Sequence, residues 1–220
     1  MRDFFARLKP HRTVPTTPWT AAHRWDLNLQ RISILSFGLF IFGIGDSLLI
    51  VSGLGNAPWS VLAQGISTRT PLTVGESTFV VSALVLAFWI PLRERPGFGT
   101  LANIVIIASA IDTGIHFMPH PQNIFLQLTY IFSGIWLVGI GSALYITCGL
   151  GPGPRDGWMT AIHFRTGWPV GRVRLGIEIS VLIIGILLGG TAGLGTALFA
   201  LLIGYSVANA FGVVARLTAK

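Results

Sequence analysis

Six apolar stretches, at approximately 31–52, 74–92, 98–118, 125–147, 170–190 and 195–214, restrict what this chain can fold into more than any other feature. About twenty apolar residues wound as a helix cross the roughly 30 Å hydrocarbon layer of a bilayer. In lipid every backbone N–H and C=O must find its partner within the protein, which for isolated runs of this length means helices. The rest of the sequence agrees: 52% of the 220 residues are hydrophobic and 10% charged, with a mean hydropathy of +0.70, too few charges to cover a water-facing surface. The expected fold is an all-α polytopic membrane protein with six transmembrane helices.

Charge placement tests that count independently. A polar lead over residues 1–30, carrying Pro10, Pro15 and Pro18, precedes the first span and is expected to be a cytoplasmic N-terminal tail. Its opening, Met1 to Lys9, fits either a short amphipathic helix on the headgroups or a disordered segment. With six spans and the N-terminus inside, the tail, the 93–97 turn, the 148–169 connection with the start of the fifth span, and residues 215–220 share the cytoplasmic face. Fourteen of the fifteen Lys and Arg residues then lie inside, with Arg69 alone outside. Basic residues in short loops are retained on the cytoplasmic side, so a bacterial plasma-membrane protein with both termini inside is the expected arrangement. The same bias accounts for the net charge of +7 without nucleic acid, for which no motif is present.

The chain repeats at an offset of 96 residues: fifteen of the thirty-eight positions from 38 to 75 are identical to their counterparts. Gly38, Gly43 and Gly45 match Gly134, Gly139 and Gly141; Gly53-Leu54-Gly55 matches Gly149-Leu150-Gly151; and Pro58 matches Pro154. This divides the chain into a first three-helix repeat, 31–118, and a second, 119–214. Three spans per repeat is an odd number, so the second would enter the membrane from the opposite side, giving inverted repeats. That architecture recurs in transporters, whose sites lie where the halves meet. Each repeat also holds a shorter amphipathic segment, 57–68 or 154–165, opened by a proline suited to a first helical turn. Both re-entrant and surface-lying placements fit these short helices.

Ionisable groups inside spans are costly and are functional candidates. Asp46 and Asp112 are candidate ion- or proton-coupling groups, with a simple hydrogen-bonding role as the plain alternative. Arg155, Asp156, Arg172, Arg174 and Glu178 form the densest charged cluster. Arg174 and Glu178, four apart, share a helix face and can pair. Guanidinium groups beside a helix start suit a carboxylate or other anion, so these five are candidate substrate-binding residues, together with Pro58 and Ser60 at the first short helix. Positive-inside anchoring explains the arginines equally well. Trp59, Trp89, Trp136, Trp158 and Trp168 fit interfacial belts better than a stacking site. No nucleophile, Walker or metal-ligand pattern occurs, the single Cys148 permits no internal disulfide, and neither catalysis nor a metal or other cofactor is expected.

The run Gly-Leu-Gly-x-x-Pro-Trp-Ser from Gly53, the stretch Gly149 to Gly157, Val170 to Glu178, Gly189-Gly190 and Gly193-Leu194-Gly195-Thr196 resemble the YczE/YyaS/YitT-type bacterial membrane proteins. The resemblance covers about 30–214. It implies an integral plasma-membrane protein and carries over no established substrate, activity or site; at position 46 it implies a small apolar residue instead of Asp46. The expected function is a transporter or permease-like protein for a small solute, an anion being the candidate class. The alternative is a non-transporting membrane scaffold or regulator acting through a partner. A water-filled cavity between the halves would favour the former and a dry glycine-packed interface the latter. The expected partners are the lipid bilayer and the solute, with a homo-oligomer left open.

Overall fold

The computed structural model describes residues 14–218, so the Met1–Lys9 segment lies outside the described residues. Within them every regular element is helical: α1 (Leu29–Ser52), α2 (Pro58–Ser67), α3 (Val74–Ala87), the single turn α4 (Trp89–Leu92), α5 (Phe98–Phe117), α6 (Ile124–Thr147), α7 (Pro154–Thr166), α8 (Val170–Leu188) and α9 (Leu194–Thr218). Five are long and apolar enough to cross a membrane: α1, α3 continued through α4, α5, α6 and α9. The helix at the expected fifth span, α8, has 19 residues, a rise of about 28 Å. Arg172, Arg174 and Glu178 crowd its first half and set it apart from the other five.

Local chemistry explains where the helices stop. Asn28 caps α1 by accepting the Gln30 N–H, and Asn123 caps α6 by accepting the Phe125 N–H. Thr73 and Glu76 form a reciprocal capping box at the start of α3. Pro58 and Pro154 occupy first turns, where a missing N–H costs nothing. After α1 and α6 the chain turns through paired left-handed glycines, with φ of 72° and 112° at Gly53 and Gly55 and 68° and 117° at Gly149 and Gly151. A side chain at any of the four would be strained, which explains why both copies of the repeat carry Gly-Leu-Gly.

Hydrogen bonds between distant segments sort the connections into two ends. At one, the Ala21 N–H donates to Cys148 O at 2.9 Å, Phe98 N–H to Arg24 O at 3.2 Å, Gly99 N–H to Leu150 O at 2.8 Å and Arg165 Nη2 to Pro91 O at 2.7 Å. At the other, Gly195 N–H donates to Leu54 O at 2.8 Å, Asn56 N–H to Thr191 O at 3.2 Å and Thr68 Oγ1 to Leu188 O at 2.9 Å. Residues 14–28 are therefore packed against the first end, and Trp19 Nε1 reaches Thr147 Oγ1 at 3.2 Å. The last turn of α2 lies at the second end and the last turn of α7 at the first.

The packing repeats with the sequence. α1 crosses α6 through glycines: a methyl group built on Gly45 would lie 2.7 Å from Gly134 O, and one on Gly134 2.6 Å from Gly45 O. The pair Gly38 and Gly141 makes the equivalent contact, since the 96-residue offset converts one pair into the other. Gly43 faces Ala110 of α5 just as its mate Gly139 faces Ser206 of α9. Leu150 O takes the Gly99 N–H and Leu54 O the Gly195 N–H, both at 2.8 Å. Close backbone approach of this kind is how helices gain packing energy without a hydrophobic driving force. Large apolar side chains cover the outside, including Phe37, Leu84, Ile90, Phe125, Leu187 and Leu201. Such a surface suits lipid and not water.

Two expectations about tryptophan need correction. Trp89 is 1% exposed and Trp59 6%, so neither lies in an interfacial belt. Trp89 fills the space left by the missing side chain of Gly157 and donates its Nε1 H to Pro154 O at 3.0 Å.

Candidate functional site

Where the two repeats meet, a cavity of about 200 Å³ opens between the helices. It draws on α1, α2 and α3 of the first repeat, on α5, and on α6, α7, α8 and α9. Its walls are mostly apolar (Phe42, Ile107, Val138, Phe199), which makes its polar groups conspicuous: Asp46, Asn103, Ser142, Tyr145, Arg155, Asp156, Arg174 and Glu178.

Arg155 and Trp59 are repeat mates, related by the 96-residue offset. They touch, the guanidinium carbon lying 4.8 Å from the centroid of the indole. Equivalent positions of the two sequence repeats thus meet, so this cation–π pair marks where the halves converge. Two further mate pairs surround it with their chemistry exchanged. Asp46 corresponds to Ser142, and Ser60 to Asp156. In the first repeat Ser60 Oγ donates to Asp46 Oδ2 at 2.7 Å. In the second, Asp156 takes its bond from Tyr145 Oη at 3.1 Å instead.

Exposure grades across the cavity. Asp46 is 2% exposed, while the side chains of Glu178 and Arg174 are 28% and 51% exposed and pair at 2.8 Å. Asp46 therefore forms the deep end, Arg155 stands between, and the Arg174–Glu178 pair with Asp156 forms the rim. At the depth of Asp46, Oδ1 is buried and has no hydrogen-bond partner. Among the described residues the Arg155 guanidinium makes no ion pair.

Of the residues singled out in the sequence, Asp46, Pro58, Arg155, Asp156, Arg174 and Glu178 line this cavity, and Ser60 stands behind Asp46. Arg172 is exposed and absent from the lining. Asp112 is also elsewhere: it accepts the Thr73 hydroxyl at 2.6 Å and the Gly75 N–H at 2.7 Å, tying α5 to the start of α3. Asn103, Ser142 and Tyr145 were not singled out, and Trp59 was assigned to an interfacial belt and not to a site. Ser142 and Trp59 were within reach, as the repeat mates of Asp46 and Arg155; Asn103 and Tyr145 carry no signal in one sequence.

A family model described as a family of unknown function, DUF6198, matches residues 29–211. The chain is 36% identical over 182 residues to the uncharacterized membrane protein YczE of Bacillus subtilis, covering 82% of each. The chain belongs to this YczE-like family of membrane proteins. An uncharacterized protein of Haemophilus influenzae is 45% identical over 95% of this chain and 96% of its own length. The uncharacterized protein YyaS of Bacillus subtilis is 28% identical over 73% of this chain and 82% of its own. No solved structure matches. The family-model match begins at the first residue of α1 and ends within α9, so every cavity residue named above falls inside it.

Proposed function

We propose that this YczE-like protein is a permease for a small polar solute, built as six spans in two inverted three-helix repeats, with the solute bound at the Arg155–Trp59 axis. The observation that carries the proposal is the placement of charge. A buried carboxylate and a guanidinium outside any ion pair line a cavity at the junction of two repeats, where inverted-repeat transporters bind their substrates. A scaffold gains nothing from directing such groups at a cavity. The glycine-packed crossing of α1 and α6 sits beside the cavity and does not fill it.

Six spans are supported by the two ends of the molecule. α8 leaves the end that holds Arg165 and Pro91 and reaches, at Leu188, the end that holds Thr68. It thus traverses the protein as α3–α4 does in the first repeat, running the opposite way. Its charged first half lines the cavity rim, and Leu175, Ile179, Ile183 and Leu187 are exposed apolar residues suited to lipid. The first turns of α2 and α7 meet through Trp59 and Arg155 while their last turns lie at opposite ends of the molecule, which suits re-entrant elements entering from the two faces. The positive-inside bias puts the end with residues 93–97 and 148–169 in the cytoplasm of a plasma membrane.

In this reading Arg155 holds an anionic group of the solute, and Arg174 with Glu178 guards the rim. Arg172 serves as a cytoplasmic anchor, Asp112 as a helix-terminus ligand, and no residue has a catalytic role. Proteoliposomes offered a panel of radiolabelled small carboxylates and amino acids should take up at least one above the level of protein-free vesicles. Arg155→Ala should lose that uptake with little change in thermal midpoint. Uptake equal to protein-free vesicles across the panel, or unchanged uptake in Arg155→Ala, would count against the proposal.

A further inference from the structure

The cavity contains two opposite charges whose hydrogen-bonding capacity the protein leaves open. Asp46 is 2% exposed; Ser60 serves its Oδ2 at 2.7 Å, and Oδ1 has no partner. The Arg155 guanidinium lies over Trp59, 4.8 Å from the ring centroid, with no ion pair to either neighbouring acid among the described residues. The other cavity charges are already engaged: Arg174 with Glu178 at 2.8 Å, and Asp156 with the Tyr145 hydroxyl at 3.1 Å. Two specific deficits follow. Asp46 lacks a donor, and Arg155, with five donors in a planar fork, lacks an acceptor.

A single ligand meets both only if it carries a donating cation and a planar anion together. A simple anion would suit Arg155 but leave Asp46 unmet, and it would enter a lining with three carboxylates (Asp46, Asp156, Glu178) against two guanidinium groups. A simple cation would suit Asp46 and be repelled by Arg155. The cavity, about 200 Å³, limits the ligand to a small one. We infer that the solute class is a small zwitterion, an ammonium and a carboxylate a few bonds apart, with the ammonium on the Asp46 carboxylate and the carboxylate on Arg155. This rests on the permease reading for its purpose but not for its geometry, since the two groups would bind such a molecule whether or not it is carried across.

The test uses the full-length protein in detergent and in proteoliposomes. Glycine, β-alanine and 4-aminobutanoate supply zwitterions of increasing charge separation, while acetate and ethylammonium supply each charge alone. At least one zwitterion should raise the thermal midpoint and bind at least about tenfold more tightly than acetate or ethylammonium, the ratio a single charge-assisted hydrogen bond supplies. Asp46→Asn keeps the size of the side chain and an acceptor for Ser60; it should weaken the zwitterion by about tenfold and strengthen acetate, erasing the preference. Arg155→Lys, which keeps the charge and loses the fork, should weaken zwitterion and acetate alike. Acetate binding as well as the best zwitterion, Asp46→Asn leaving the preference intact, or none of the five probes binding would each overturn the inference. Uptake of acetate alone would overturn it and leave the permease reading standing. Zwitterion binding in detergent without uptake into proteoliposomes would uphold the site and remove the permease.

Discussion

Substituting Gly45 by alanine isolates the contact that holds the two halves together. The added methyl would lie 2.7 Å from Gly134 O, 2.8 Å from Val138 N and 2.9 Å from Leu137 Cβ. Two of these are backbone atoms on a neighbouring helix, so relief requires α1 and α6 to separate. Overpacking of this kind costs about 1–3 kcal/mol. Alanine also gains about 1 kcal/mol over glycine in a helix interior, which masks part of the cost. Gly204 of α9 provides the correction, because a methyl there meets nothing within 4 Å while the propensity gain is the same. The gap in unfolding free energy between Gly45→Ala and Gly204→Ala should therefore report the contact alone, about 1–3 kcal/mol. Equilibrium unfolding in micelles by mixed-detergent titration measures it. Gly141→Ala, at the repeat mate of Gly45, should show a gap of the same sign and similar size. A gap under about 0.5 kcal/mol, the range of ordinary surface substitutions, would refute the tight crossing.

Trp89→Ala should cost about 3–5 kcal/mol by the same assay, since the ring is buried against Gly157; Trp136→Ala, at 49% exposure, should cost far less, and equal costs would contradict the packing. Asp112→Ala should lower stability by about 1–3 kcal/mol, through loss of the bonds to Thr73 and Gly75, while any solute binding persists. Full stability with lost uptake would instead make Asp112 a coupling group. Asp26 is held below the ordinary carboxylate range, chiefly by the Ala22 N–H and, against some desolvation, by Arg31. Its contribution to docking residues 14–28 is complete above the unfolded value near 3.9 and fades as pH falls through the lower folded value. Hydrogen exchange at Ala22 should rise over that acid range in the parent and not in Asp26→Asn.

Much of this architecture was legible because the repeat states it twice. Identical glycines at a fixed offset predicted that both halves would pack alike, and the reciprocal Gly45–Gly134 and Gly38–Gly141 contacts follow from that. The proline-led segments at 58 and 154 became helices for the local reason that the first turn tolerates a missing N–H. Arg172 was placed with Arg174 by proximity in sequence, yet residues two apart on a helix point to nearly opposite faces; the i, i+4 pair Arg174–Glu178 was the sound part of that cluster. The tryptophans misled because Trp serves interfaces and interiors equally well. Only the space above Gly157 decides for Trp89, and only the position of Arg155 for Trp59. Asp112 finds its ligands at a helix start thirty-seven and thirty-nine residues away, a juxtaposition that no local pattern encodes.

A shared axis requires the second repeat to be threaded through the membrane in the direction opposite to the first. Single cysteines in place of Glu94, Thr166, Thr70 and Gln122, introduced on a Cys148→Ser background, can be probed in intact cells and in inside-out vesicles with a membrane-impermeant maleimide. Positions 94 and 166 should label only in inside-out vesicles, and positions 70 and 122 only in intact cells. Labelling of 94 and 166 from opposite sides would dismantle the inverted arrangement, and with it the shared axis on which Arg155 and Trp59 have been placed.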